Sequence, residues 1–211
     1  MTVGASLLGF AAVALVLTIT PGLDMALVIR YATVFGRGPA LAAGAGVCGG
    51  VLIWGIAAAV GVSAVLSVSV LAFTVMKYLG AAYMVWLAFG MLRHALGRGE
   101  PGQSDAVPAP ERATTFGAFR KGLLVNVLNP KVGAFYVALL PQFLPVGVNG
   151  VVMGAALASV HVAETLLWFG LIVLLIGQIR VFLQRQSVQR AIDGFVGVAL
   201  LGFAAKLVLD R

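Results

Sequence analysis

The chain has 211 residues, 61% of them hydrophobic and only 10% charged, whereas a soluble domain carries roughly a quarter charged residues. At a mean hydropathy of +1.07, a soluble fold of this size could not hide so much apolar surface, so lipid must be part of its solvent. The net charge of +7 does not indicate nucleic acid as a partner, because the basic residues sit at the ends of apolar stretches, as in membrane-protein loops.

A spanning helix needs roughly 20 apolar residues, and the chain supplies about six such stretches. The first, residues 3–31, follows no basic leader and runs into Pro21-Gly22-Leu23-Asp24 rather than a small-residue cleavage site, so it reads as retained. Thr20-Pro21-Gly22 interrupts it. Proline removes a backbone donor and glycine adds freedom, which predicts a kinked or broken helix. Residues 39–65 form the second stretch, with Ala42, Gly46 and Gly50 at spacing four. Such a stripe lets another helix approach closely. Cys48 is the single cysteine, so an intrachain disulfide is excluded and it reads as a small packing residue.

The third stretch, residues 70–92, carries Lys77 near its start and closes at Arg93 and His94. A polar linker rich in glycine and proline follows, over 96–115. Residues 116–144 carry Asn126, Asn129, Pro130 and Lys131 and end at Pro141 and Pro145. Residues 151–179 contain His161 and Glu164, and residues 192–209 form the last stretch.

The expected fold is therefore an all-α integral membrane protein of two three-helix repeats, residues 1–95 and 116–211, joined by a cytoplasmic linker. Three is odd, so the second repeat enters the membrane inverted, as in many secondary transporters. The first helix of each repeat carries a polar residue directly before a proline, Thr20-Pro21 and Asn129-Pro130. Paired interruptions of this kind point to a site at the midplane. The loops after stretches one, three and five hold Arg30, Arg37, Arg93, Arg98, Arg112, Arg120, Lys121, Arg180, Arg185 and Arg190. These loops should face the cytoplasm, which leaves both termini outside.

Charges near the bilayer centre are costly and so are functional suspects. Asp24 either binds a substrate ammonium group or a coupling proton, or it caps a restarted helix. Asn126 and Asn129 can satisfy the backbone freed by Pro130, or a ligand, since each amide both donates and accepts. Lys131 could neutralise a substrate carboxylate, pair with Asp24 or snorkel to the interface. His161, Glu164 and Trp168 share a helical face. The His–Glu pair could relay protons, act as an acid–base pair on a lipid-linked substrate, or simply hold helices together. Metal binding is disfavoured because no second histidine is near. No phosphate-binding glycine loop or catalytic signature stands out. The chain thus reads as a transporter without a cofactor rather than an enzyme, and a non-transporting scaffold built on its glycine stripes is the remaining alternative.

At these residues the sequence resembles the LysE/RhtB family of amino-acid exporters. The resemblance rests on three ordered motifs: Thr20-Pro21-Gly22-Leu23-Asp24 followed by Gly36-Arg37-Gly38; Lys77-Tyr78-Leu79-Gly80-Ala81-Ala82-Tyr83; and Phe119-Arg120-Lys121-Gly122 leading to Asn126, Asn129-Pro130-Lys131 and Pro141-Gln142-Phe143. Leu23 stands where the family carries a second proline. The resemblance implies export of amino acids or close derivatives across a bacterial inner membrane by proton antiport. By match to the motifs, Pro21, Gly22, Asp24, Asn126, Asn129, Pro130 and Lys131 become site residues, with Thr20 beside them. His161 and Glu164 join Asp24 as proton-coupling candidates on the energetic argument alone. The stripes at Gly46/Gly50 and Gly194/Gly197 suit a homodimer or packing within one chain equally.

Overall fold

A computed structural model describes residues 2–68, 70–97, 114–145, 147–176 and 185–209. Among these residues the secondary structure is helical. The elements are α1 (Val3–Ile19), α2 (Leu23–Val34), α3 (Arg37–Val68), α4 (Val70–Ala95), α5 (Thr115–Val127), α6 (Pro130–Leu139) with a 3₁₀ turn over Leu140–Phe143, α7 (Gly150–Leu174) and α8 (Gln186–Leu209). Most of the predicted linker, the end of the fifth apolar stretch, and Arg98, Arg112 and Arg180 lie outside the described residues.

Both predicted interruptions are present. α1 and α2 meet at a 54° bend, and α5 meets α6 and its 3₁₀ turn at 53°. One steric rule explains both. The residue before a proline is pushed out of the α region by the proline ring. Thr20 accordingly takes φ −70° and ψ 124°, and Asn129 takes φ −76° and ψ 107°. Pro130 then opens α6, where its missing N–H costs nothing.

Two helices among the described residues, Arg37–Gly61 within α3 and Gly150–Leu174, are long and apolar enough to cross a membrane, and the two bent pairs also qualify if each is one span. Large apolar side chains such as Leu8, Leu128 and Leu167 stand about three-quarters exposed, a placement that requires lipid rather than water around them.

The predicted glycine stripe is a crossing point. A Cβ on Gly46 would lie 2.0 Å from the Phe119 carbonyl oxygen, and one on Gly122 would lie 2.0 Å from that of Ala43. α3 and α5 therefore touch backbone to backbone. Further along, a Cβ on Gly55 would strike Ala158, and one on Gly154 would strike Ala59. These pairs run in opposite order, so α3 and α7 are antiparallel, whereas Gly46, Gly49 and Gly50 meet Phe119, Leu123 and Asn126 in the same order, so α3 and α5 run parallel. α4 packs along α8, with Leu92 and Ala88 against Gly197 and Ala95 against Gly194. The glycines proposed for dimer contacts thus meet neighbours within the chain.

Three apolar clusters result among the described residues, the smallest of Ala88, Val196 and Leu200 between α4 and α8. Of the other two, one gathers Phe10, Tyr136, Leu139 and Leu157; the second gathers Leu27, Tyr31, Val47 and Ile172. Asp24, Asn126, Asn129, Lys131 and His161 share one space with residues of these last two clusters.

Candidate functional site

The two helix breaks deliver their polar residues to one cleft. Its cavity volume is about 40 Å³, and it is lined by Thr18, Thr20, Gly22, Asp24, Asn126, Asn129, Lys131, His161 and Thr165, with Leu17, Met25, Val47, Val51, Val132 and Phe169 as its apolar walls. Asp24 stands in the first turn of α2. Its Oδ2 accepts one hydrogen bond from Asn126 Nδ2 and one from Asn129 Nδ2, each 3.0 Å long. Residues more than a hundred positions apart thereby form one group across both breaks. Asp24 Oδ1 and Asn126 Oδ1 are buried and have no partner. Buried polar atoms in native proteins are nearly always paired, so two free acceptors on residues that line one cleft suit an incoming donor.

Asn126 and Asn129 are 1% and 4% exposed, and each is held from behind. Asn129 caps α6, with its Oδ1 accepting from the Lys131 N–H at 3.1 Å. The Asn126 carbonyl accepts from the Asn129 N–H at 3.0 Å and from Trp54 Nε1 at 3.4 Å. The carbonyl freed by Pro130 is satisfied in this way. Gly50 gives Asn126 its room, because a Cβ there would lie 2.4 Å from Oδ1.

Lys131 supplies the opposite charge. Its ammonium donates to the Thr20 carbonyl at 3.5 Å, at the end of α1, where the helix dipole favours a cation. It also lies 3.8 Å from where a Cβ on Gly22 would be, beside the start of α2. The direct Lys131–Asp24 ion pair allowed by the sequence is not formed: the one ion pair among the described residues joins His94 and Asp193. Acid and base instead stand apart around the same cleft. Gly22 is the N-cap of α2 and offers no side chain to its first N–H groups, which leaves them open to an anion.

His161 and Glu164 separate. His161 lines the cleft and shares a 3.0 Å hydrogen bond between its Nδ1 and the Tyr136 hydroxyl. Glu164 is not in the cleft lining, and its Oε2 has no partner. The inward face of α7 is His161, Thr165 and Phe169, all buried, at spacing four. The face drawn through His161, Glu164 and Trp168 is a poorer fit by one step. Stepping four rather than three from His161 would have found Thr165. Thr18 and the Tyr136 bond carried no signal of their own. Pro21 and Pro130 shape the breaks without lining the cleft.

The profile of the LysE type translocator family matches residues 13–211. The chain belongs to this family. The translocator is 32% identical to the membrane protein YrhP of Bacillus subtilis over 97% of this chain and 99% of that one. It is 29% identical to the threonine efflux protein of Escherichia coli K12, over 95% and 96% of the two chains. To the leucine efflux protein of Klebsiella pneumoniae it is 28% identical, over 92% and 90%. No solved structure matches the translocator.

Proposed function

We propose that this translocator exports amino acids or close derivatives from the bacterial cytoplasm in exchange for protons, and that the cleft between its two helix breaks is the substrate site. The observation that carries the reading is the Asp24 carboxylate held by Asn126 and Asn129 across both breaks, with the Lys131 ammonium beside the uncapped start of α2. A zwitterion needs both. Its ammonium group would approach Asp24 Oδ1 and Asn126 Oδ1, and its carboxylate would meet Lys131 and the first N–H groups of α2. Relatives named for threonine and leucine efflux point to the same class of cargo. A carboxylate that binds either a substrate ammonium or a proton, never both, couples the two by competition, and in this reading Asp24 is that carboxylate.

The reading includes six spans arranged as inverted repeats, residues 1–95 and 116–211, in the inner membrane. Helix directions support it. The second and fifth spans (α3 and α7) cross antiparallel, as do the third and sixth (α4 and α8), while α3 runs parallel to α5 in the fourth. Inverted repeats pair each span with its counterpart in this way.

The test is efflux. Cells producing the protein are loaded with dipeptides containing labelled amino acids, and release is followed with and without a proton uncoupler. Release of one or a few amino acids above control cells, abolished by the uncoupler, is expected. Excess release that persists after uncoupling would remove the proton from the mechanism, and no excess across the panel with the protein present would remove the amino acid.

A further inference from the structure

Hydroxyl groups on membrane helices ordinarily bond a carbonyl of the preceding turn. Thr20 does so to Val16, Thr33 to Arg30 and Ser159 to Ala155. Thr165 and Thr18 do not. Their Oγ1 atoms are buried and have no partner, although the residues are only 3% and 9% exposed, and both line the cleft. A buried hydroxyl that forgoes its local partner, on a residue that lines a binding space, leaves an unmet hydrogen bond for whatever enters.

The rest of the lining limits what that can be. The ionisable side chains lining the cleft are Asp24, Lys131 and His161. Asp24 and Lys131 match the two charges of the amino-acid head, and His161 is bonded to Tyr136. Nothing remains to pair a charged substrate side chain, and Val47, Val51, Met25 and Phe169 supply apolar walls around Thr165 and Thr18.

We infer that Thr165, assisted by Thr18, is the specificity-determining residue of the cleft, and that it selects small neutral amino acids bearing a side-chain hydroxyl over their apolar isosteres. The inference rests on the amino-acid export proposed above. A site that hydrogen-bonds a substrate hydroxyl rejects the analogue lacking it, because the site's own polar group is then left unpaired. A purely apolar pocket would barely distinguish the two.

Threonine and valine have nearly the same shape and differ in that hydroxyl, so they are the probes. Cells are loaded with threonine- and valine-containing dipeptides, and the ratio of the two efflux rates is read for the unmodified protein and for Thr165→Val and Thr165→Ser at matched protein levels. The unmodified protein should favour threonine, Thr165→Ser should keep the preference, and Thr165→Val should cut the ratio by about tenfold, the worth of roughly one buried hydrogen bond. A threonine-to-valine ratio near one in the unmodified protein, or an unchanged ratio in Thr165→Val, overturns the inference and leaves amino-acid export standing. So does a preference for lysine or glutamate. Release of no amino acid at all overturns both. Should Thr165→Val fail to accumulate, Thr165→Ala against Thr165→Ser gives the same contrast.

Discussion

The two helix breaks share a cause and an angle and differ in how they are finished. At the second, Asn129 turns its own side chain onto the Lys131 N–H, and the carbonyl loosened by Pro130 is taken up by Asn129 and Trp54. Its backbone is closed, and its amides are fixed in direction. At the first, the N-cap is a glycine with nothing to offer the first turn of α2, and Asp24 keeps one carboxylate oxygen without a partner. One break is therefore a rigid bracket, and the other is the surface it holds in place. Two breaks of one kind need not divide a task evenly: both keep an unpartnered side-chain oxygen beside them, Asp24 Oδ1 and Asn126 Oδ1, but only the first leaves its helix start without a side-chain cap.

The comparison breaks most readily at Asp24. Asp24→Asn keeps the shape and removes the charge that Asn126 and Asn129 address and that the proposed substrate ammonium would meet. A hydrogen bond to a charged group contributes about 1.5–3 kcal/mol, so efflux should fall by about 10- to 100-fold, with protein level in the membrane unchanged. Initial efflux rates normalised to the amount of protein provide the check. If Asp24→Asn costs less transport than any change at Asn129, the roles assigned to the two breaks are reversed.

Asn129 sharpens the contrast because it does two things. Asn129→Ala loses the cap, which costs about 1 kcal/mol and should lower the melting temperature in detergent by about 2–4 °C. It also takes one of the two amides from Asp24. Asn129→Asp keeps an oxygen for the Lys131 N–H but sets a second acidic group against Asp24. The aspartate variant should therefore melt near the unmodified protein and still transport as poorly as the alanine variant, about tenfold down. Equal recovery of both properties in Asn129→Asp would mean that the amide donated to Asp24 contributes nothing.

Much of this arrangement is legible without coordinates. Pre-proline sterics act locally, so Thr20-Pro21 and Asn129-Pro130 announce both breaks. The cost of an intramembrane charge then marks Asp24 and Lys131. Gly46 and Gly50 are readable as a contact stripe, but not that the stripe faces α5 or that Gly50 clears space for Asn126, since partner choice is a tertiary property. Lys131 had three open fates, and only the position of the α1 carbonyls decides that it bonds Thr20 rather than Asp24. That His161 lines the cleft and Glu164 does not was hidden for a simpler reason. Spacings of three and four both place residues on one helical face, and a helix that packs on more than one side has no single face for periodicity to reveal. Thr165 was hidden by the same ambiguity.

The smallest and most selective change gives the first break the finish of the second. Gly22 has φ −177°, an extended backbone that any residue adopts, and an added Cβ would meet only Lys131 Nζ, at an ordinary 3.8 Å. Gly22→Ser therefore fits. Its hydroxyl would accept from the first-turn N–H groups of α2, which are the donors proposed for the substrate carboxylate. Serine in place of glycine at an N-cap changes stability by only about a few tenths of a kcal/mol, so the melting temperature should hardly move. Competition for those donors should instead raise KM by about threefold, less than the worth of one hydrogen bond, with kcat little changed. Labelled substrate accumulating in inverted membrane vesicles gives both constants. Gly22→Ala adds the same Cβ without the hydroxyl and should stay close to the unmodified protein. If alanine and serine raise KM equally, crowding of the Lys131 ammonium is responsible and capping is not. If neither raises it, the open end of α2 does not receive the carboxylate, and the anion's partner at the first break is Lys131 alone.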